Sequence, residues 1–283
     1  MNAIIMAAGL SSRFAPLSYE YPKALLNVKG EVLIERQIKQ IKEAGIDDIT
    51  IVVGYKKELF YYLKNKYNGI SIIENPEYDD RNNHSTLYYA RHKLGNTYIC
   101  SADNYFTENV FESDTNHSYY SAVYKKGPTD EWCITYDDSG LITNVVVGGA
   151  DSWVMQGHAF FSEEYSKRFV EILECIYQRP ETKPLYWEDI YINHIDELPM
   201  YIRKYPDTTI MEFDTLDELR AFDESYWDCT RSRIIKEISI ELGCKERDII
   251  NTEPLKRGEK VTGFTFSFKN RQYQYLYGSG LKK

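Results

Sequence analysis

The chain has 283 residues, 43% hydrophobic and 14% aromatic, enough for one large domain or a medium one with an appendage. A formal net charge of -9, with no basic stripe, excludes a general nucleic-acid binder, whose affinity comes mostly from neutralising phosphates. No stretch nears the roughly 18 apolar residues of a membrane span, the N-terminus lacks a signal-peptide pattern, and five cysteines without CxxC spacing fit a reducing cytoplasm, where we place the protein.

In chain order, Asn2 to Ala8 is an apolar run that ends in small residues and is broken by Gly9, the pattern of a buried strand. Leu33 to Ala44 places Ile34, Ile38 and Ile41 at helical spacing before the stop signal Gly45. Ile49 to Gly54 is a second buried strand, Glu58 to Tyr67 a helix, and Ile70 to Glu74 a third strand. A helix is expected at Ser85 to Leu94 and a strand at Thr97 to Ala102, which delivers Asp103 to the sheet edge where Gly9 also arrives.

Past Asp103 the pattern changes. Tyr119 to Tyr124, Trp132 to Tyr136 and Ile142 to Val147 are short strands, followed by helices at Glu163 to Tyr177 and Trp187 to Leu198. Met200 to Tyr205 and Ile210 to Phe213 are short strands, and Thr215 with Glu218 makes a capping-box pattern for a helix reaching Phe222. The expected class is α/β: a Rossmann-like fold with a mixed, mainly parallel central sheet and helices on both faces. A small α+β appendage follows, with a helical stripe at Ile234, Ile235, Ile238 and Leu242, a short strand, then a hairpin from Val261 to Phe268 and Gln272 to Tyr277. We therefore expect domains at 1–222 and 223–283.

Four groups of residues carry chemistry. In AAGLSSRFAPLSYEYPKALL, the small residues Ala7, Ala8 and Gly9 permit close backbone approach to phosphate. Leu10, Ser11 and Ser12 extend that loop with amide and hydroxyl donors, Arg13 offers a fork matched to phosphate, and Lys23 a point charge. An ordinary strand-loop-helix turn could contain some of these residues; their joint occurrence with Pro16 and Pro22 favours triphosphate binding. The second group is Asp103 and Asp214, hard oxygen donors suited to Mg2+, although one is also a good turn former and the other a good helix-entry residue. The third is Asn82, Asn83 and Ser85, which could read a pyrimidine edge or merely shape a turn. The fourth is Trp132, Tyr186, Trp187, Glu188 and Asp189, aromatic faces beside carboxylates that suit a quaternary ammonium group. Trp187 also begins a helical core stripe, and Trp153 is a weaker aromatic candidate.

The pattern AAGxxxRxxPLxxxxPKxLL resembles the signature loop of nucleotidyltransferases that join a nucleoside triphosphate to a phosphorylated small molecule, except that Ser11 stands where that family usually has Gly. The closer resemblance, carried also by GIDDITIVVGY, YICSADNYF, the Thr-Asp-Glu-Trp turn and LYWEDI over about residues 1–222, is to the bacterial CTP:phosphocholine cytidylyltransferases. It implies CTP and a choline-like phosphorylated acceptor as partners, Mg2+ on Asp103 and Asp214, and the base beside Asn82, Asn83 and Ser85. Arg13 and Lys23 are then the groups that stabilise the triphosphate and departing pyrophosphate, and Lys125 is a candidate for the acceptor phosphate. Residues 223–283 resemble the start of a bacterial choline kinase, stop before any kinase catalytic loop, and imply a truncated N-lobe without phosphorylating activity. Three alternatives stand: another zwitterionic acceptor such as 2-aminoethylphosphonate; a sugar-1-phosphate, disfavoured by the missing Trp-x-Asp-x-Gly-Thr pattern; and a non-catalytic nucleotide-binding module, against which the full set of charged residues argues. Monomer and homodimer are both open.

Overall fold

The structure, a computed structural model, describes residues 1–258 and 260–282. Its chain forms two compact units that are each discontinuous in sequence: Met1–Gly9 with Ile34–Glu212, and Leu10–Leu33 with Phe213–Lys283. The division follows packing and not chain order. It sets the loop at Leu10–Leu33 with the C-terminal segment, whereas the expected boundary at 222 follows the sequence alone.

The first unit is built on a sheet with seven strands among the described residues, in the order 201–205, 119–136, 142–161, 97–101, 2–7, 49–53, 70–74. The strand Asn2–Ala7 runs parallel to both Ile49–Val53 and Thr97–Ser101, and Ile49–Val53 runs parallel to Ile70–Glu74. The long strand Ile142–Phe161 is antiparallel to both its neighbours, Thr97–Ser101 and Tyr119–Tyr136. The sheet is thus mixed and mainly parallel. Every residue of Ile49–Val53 is buried, which requires both faces to be covered, as parallel strands in α/β folds are. Ile4, Val52 and Ile99 pack into one core with the helices His84–Ala90, Glu163–Tyr177 and Trp187–Asn193. Their neighbours Ala3, Ile5, Ile51 and Val53 point the other way by strand alternation and are just as buried. In the helix Leu33–Glu43 the predicted face Ile34, Ile38 and Ile41 is sealed from solvent.

The structure corrects several element boundaries. Glu58 to Tyr67 is two short helical turns, Lys57–Phe60 and Leu63–Lys66, separated by Tyr61 and Tyr62. Tyr119 to Tyr136 is one continuous strand where two are expected, and Ile142 continues through to Phe161. That extension holds Gly148, Gly149 and Gly157 and has no alternation, so nothing local marks it as strand. Gly157 is required there: a Cβ would stand 2.7 Å from the Ser121 hydroxyl and 2.8 Å from Ile210, at a φ of 105° that other residues avoid.

In the second unit, the helix Leu216–Phe222 starts with the predicted capping box, Thr215 accepting from the Glu218 amide and the Glu218 carboxylate accepting from the Thr215 amide. The helix Arg233–Leu242 and an antiparallel sheet of Ile250–Arg257, Lys260–Phe268, Arg271–Leu276 and Gly280–Lys282 complete it. Their shared core is Ile234, Ile235, Ile238, Ile249, Phe264, Phe266 and Phe268, joined by Ala15 from the signature loop. Among the described residues no helix is long and apolar enough to cross a membrane, and all five cysteines are unpaired.

Candidate active site

Two adjacent parallel strands of the first unit end at one edge. Asn2–Ala7 runs on into Ala8 and Gly9, and Thr97–Ser101 into the turn bearing Asp103. The Ala102 amide donates to the Met6 carbonyl at 3.2 Å and the Tyr55 amide to the Ala8 carbonyl at 3.1 Å, which fixes both exits at the carboxyl edge of the sheet. Ala7 and Ala8 are buried and Gly9 is exposed; no heavy atom stands within 4 Å of where a Gly9 Cβ would be, so close backbone approach is open there. Asp103 is partly exposed. Its turn is clamped by a residue that sequence reading passes over. Gln37, fully buried on the helix Leu33–Glu43, donates to the Ser101 carbonyl at 2.9 Å and the Asn104 carbonyl at 2.8 Å. The available signal is a polar residue one helical step from both Ile34 and Ile41, on the apolar face where a polar group needs a partner.

In the second unit three of the expected charges meet. Arg13 Nη1 lies 2.6 Å from Asp214 Oδ2, and Lys23 Nζ lies 3.8 Å from Asp214 Oδ1. Arg13 is mostly open to solvent, Asp214 about a third exposed, and Lys23 only 4% exposed with its ammonium 5.7 Å from the Phe14 ring centre. An exposed guanidinium can exchange a carboxylate for a phosphate without a desolvation cost, while the buried ammonium is held in place by packing. Ser11 adopts the left-handed conformation, φ 47° and ψ 44°. This is the position at which the resembling family has Gly, and the conformation costs a residue with a Cβ about 1–2 kcal/mol. Leu10 is exposed, and Ser12 opens the short turn Ser12–Phe14.

The third group is a hydrogen-bonded framework in the first unit. Asn82 Oδ1 accepts from the Asn83 amide and its Nδ2 donates to the Pro184 carbonyl. Asn83 Oδ1 accepts from the Trp187 amide at 2.8 Å and its Nδ2 donates to Glu188 Oε2 at 3.2 Å. Ser85 is fully buried, donating to the Asn82 carbonyl and accepting from Asn75. Its hydroxyl therefore shapes the turn from within. His84, also buried, is bonded to the Leu185 carbonyl through Nδ1, and burial holds its pKa low.

The aromatic group divides in the same way. Trp187 is 1% exposed and stacks on Tyr120 at 5.6 Å and 15°, which sets its ring within the core. Glu188 is buried, receives the Tyr120 hydroxyl at 3.2 Å, and has its pKa pushed up to about 7 by burial. Trp132 and Tyr186 are presented differently. Their rings meet edge-to-face at 5.7 Å, Tyr186 is 46% exposed, and the Tyr186 amide is capped by Asp189 at 2.8 Å. Lys125 is partly exposed on the strand Tyr119–Tyr136 opposite Ser152, and the neighbouring Tyr124 meets Trp153 edge-on at 5.6 Å.

Oxygen donors at Asp103 and Asp214 suit Mg2+, which binds through one or two carboxylates, phosphates and water. Among the described residues no group of three or more His, Cys, Asp or Glu is placed to hold a metal, and this mode of binding needs none.

A family model described as a MobA-like NTP transferase domain matches residues 3–141. The chain is 37% identical over 224 residues to the choline-phosphate cytidylyltransferase of Streptococcus pneumoniae (strain ATCC BAA-255 / R6), covering 79% of this chain and 97% of that relative. It is 40% identical over 228 residues to the 2-aminoethylphosphonate cytidylyltransferase of Lancefieldella rimae, covering 80% of this chain and 93% of that one. A solved structure of the CTP:phosphocholine cytidylyltransferase from Streptococcus pneumoniae superposes with a TM-score of 0.76 at 37% identity, over 79% of this chain and 98% of that chain.

Proposed function

This chain belongs to the bacterial choline-phosphate cytidylyltransferase family of nucleotidyltransferases, and we propose that it converts CTP and phosphocholine to CDP-choline and pyrophosphate. The observation that carries the triphosphate half is the convergence of Arg13 and Lys23 on Asp214 within the signature loop's own unit. The acceptor half is supported by the edge-to-face pair of half-buried Trp132 and exposed Tyr186, with Asp189 on the Tyr186 amide: a π surface beside a carboxylate attracts a quaternary ammonium.

The acceptor's phosphate monoester has a second pKa near ~6 and is largely dianionic at neutral pH, so no side chain need act as general base. One of its oxygens attacks the α-phosphorus of CTP in line, the P–O bond to the β-phosphate breaks, and pyrophosphate leaves with the electron pair. Arg13 and Lys23 take up the charge on the triphosphate and the departing pyrophosphate. Arg13 does so by leaving Asp214, and Lys23 from a fixed position. Asp103 and Asp214 are the carboxylates that would each serve as an oxygen ligand to Mg2+, which would supply further charge neutralisation to the phosphates. Asn82 and Asn83 set the shape of the wall beside the base, and Lys125 is kept for the acceptor phosphate.

The 2-aminoethylphosphonate reading is favoured by one comparison of equal quality and differs only in the acceptor. A primary ammonium donates hydrogen bonds and gains less from aromatic faces than a trimethylammonium does, so the Trp132–Tyr186 pair tips the choice to choline. With Mg2+ and both substrates, Asp103→Ala is expected to abolish pyrophosphate release from CTP; undiminished turnover would remove Asp103 from the site.

A further inference from the structure

The segment after residue 222 does more than follow the transferase sequence: within its compact unit it is packed against the phosphate loop. Ala15, two residues beyond Arg13, is part of the core formed by Ile234, Ile235, Ile238, Ile249, Phe264, Phe266 and Phe268. Tyr19 stacks flat on Tyr277, ring centres 3.6 Å apart and planes within 9°. Glu20 Oε1 accepts from the amides of Arg233 and Ile234 at 2.9 and 3.4 Å, while Ser232 accepts from Ile235 at 3.1 Å. The free amides that open the helix Arg233–Leu242 are thus satisfied in part by a carboxylate of the loop. Further on, the Asn27 carbonyl accepts from the Tyr226 hydroxyl and from Arg231, and the Lys29 amide donates to Asp223, each at 2.7 Å.

The Asp214 side of the ion pair is held by the same body. Arg220, fully buried on the helix that follows Asp214, donates to the carbonyls of Ile249 at 2.7 Å and Glu246 at 2.9 Å, and Asp217 accepts from the Asn251 amide at 2.8 Å. Arg13 and Lys23 therefore flank a stretch whose interior, residues 15–20, is anchored to the C-terminal segment, and their common partner Asp214 is anchored to it as well. Ordering a free loop costs about 1–2 kcal/mol per residue, a cost otherwise met when the triphosphate binds.

We propose that residues 223–283 act as the scaffold of the triphosphate loop, with Glu20 and Tyr277 as positioning residues that hold Arg13 and Lys23 ready for CTP. The proposal rests on the cytidylyltransferase reading above. It gives the C-terminal segment a role in the transferase reaction.

The test uses the full-length protein with Mg2+ and the variants Tyr277→Ala, Tyr277→Phe and Glu20→Gln, each checked for folding by thermal melting. Tyr277→Ala and Glu20→Gln are expected to weaken CTP binding in calorimetry without acceptor, and to raise the KM for CTP, by about 10-fold. The KM for phosphocholine should stay within about two-fold, and Tyr277→Phe, which keeps its ring on Tyr19, should recover wild-type values. Glu20→Gln, nearly isosteric, carries the test if Tyr277→Ala does not fold. Unchanged CTP affinity in the folded variants, or an equal rise in both KM values, overturns the proposal. Wild-type turnover in the same assay separates the two readings: an inactive wild type sinks the cytidylyltransferase assignment, whereas variants that match an active wild type sink only the scaffold.

Discussion

The phosphate loop and the Asn83–Glu188 wall are both rich in polar residues, yet they are built in opposite ways. At the loop, Arg13 and Asp214 hold each other by an ion pair that solvent reaches, so their partners can be exchanged. At the wall, Asn83, Glu188, Tyr120 and Trp187 are locked by hydrogen bonds and stacking, and three of the four are buried. Exchangeable charges do chemistry themselves, whereas a buried network serves by shaping what others present. In the first region the residues singled out by the sequence are charges that converge on one carboxylate. In the second they are mostly the frame behind Trp132 and Tyr186.

That contrast breaks or sharpens under substitution. The largest effect is expected from Lys23→Met, which keeps the buried stem and removes the charge: kcat should fall about 10²–10³-fold, with an unchanged melting temperature. A loss of folding without a specific loss of rate would place Lys23 in the frame. The reverse pattern is expected at the wall. Asn83→Ala strips partners from the Trp187 amide and the Glu188 carboxylate and should cost about 1–3 kcal/mol in denaturant titration, with a smaller change in kcat than Lys23→Met produces.

A subtler test uses pH. Burial raises the Glu188 carboxyl from its ordinary 4.5 to about 7, so the folded state favours the protonated form. Its contribution to stability is fully present below pH 4.5 and is lost as pH rises through about 7. Glu188→Gln, a mimic of the neutral acid, should therefore gain on the wild type across that window, by up to about 3 kcal/mol, in denaturation midpoints taken at each pH. A constant gap between the two would mean that Glu188 is charged and satisfied in the fold.

The parallel half of the sheet was legible because its strands are short, mostly apolar runs bounded by turn signals; Ile49–Val53 and Ile70–Glu74 are found where the pattern puts them. The strand between 97–101 and 119–136 was not. Its second half, GGADSWVMQGHAFF, is held by pairing with distant residues such as Cys100 with His158 and Ala122 with Met155, a tertiary cause with no local trace. At the candidate site, residue types announced the loop's charges, but not which polar side chains turn inward. Ser85 and Trp187 lie in turn and helix-start sequences that read equally well as surface, and only packing shows them buried. Ser11 was visible as a letter; the left-handed backbone it adopts was not.

The central claim, transfer of a cytidylyl group to a choline-like phosphate, is tested most directly by pyrophosphate release across CTP, UTP, ATP and GTP, each paired with phosphocholine, 2-aminoethylphosphonate and glucose-1-phosphate in the presence of Mg2+. The account predicts that CTP with phosphocholine has the highest kcat/KM. A faster sugar-phosphate pair, or nucleotide binding without pyrophosphate release from any pair, would contradict it.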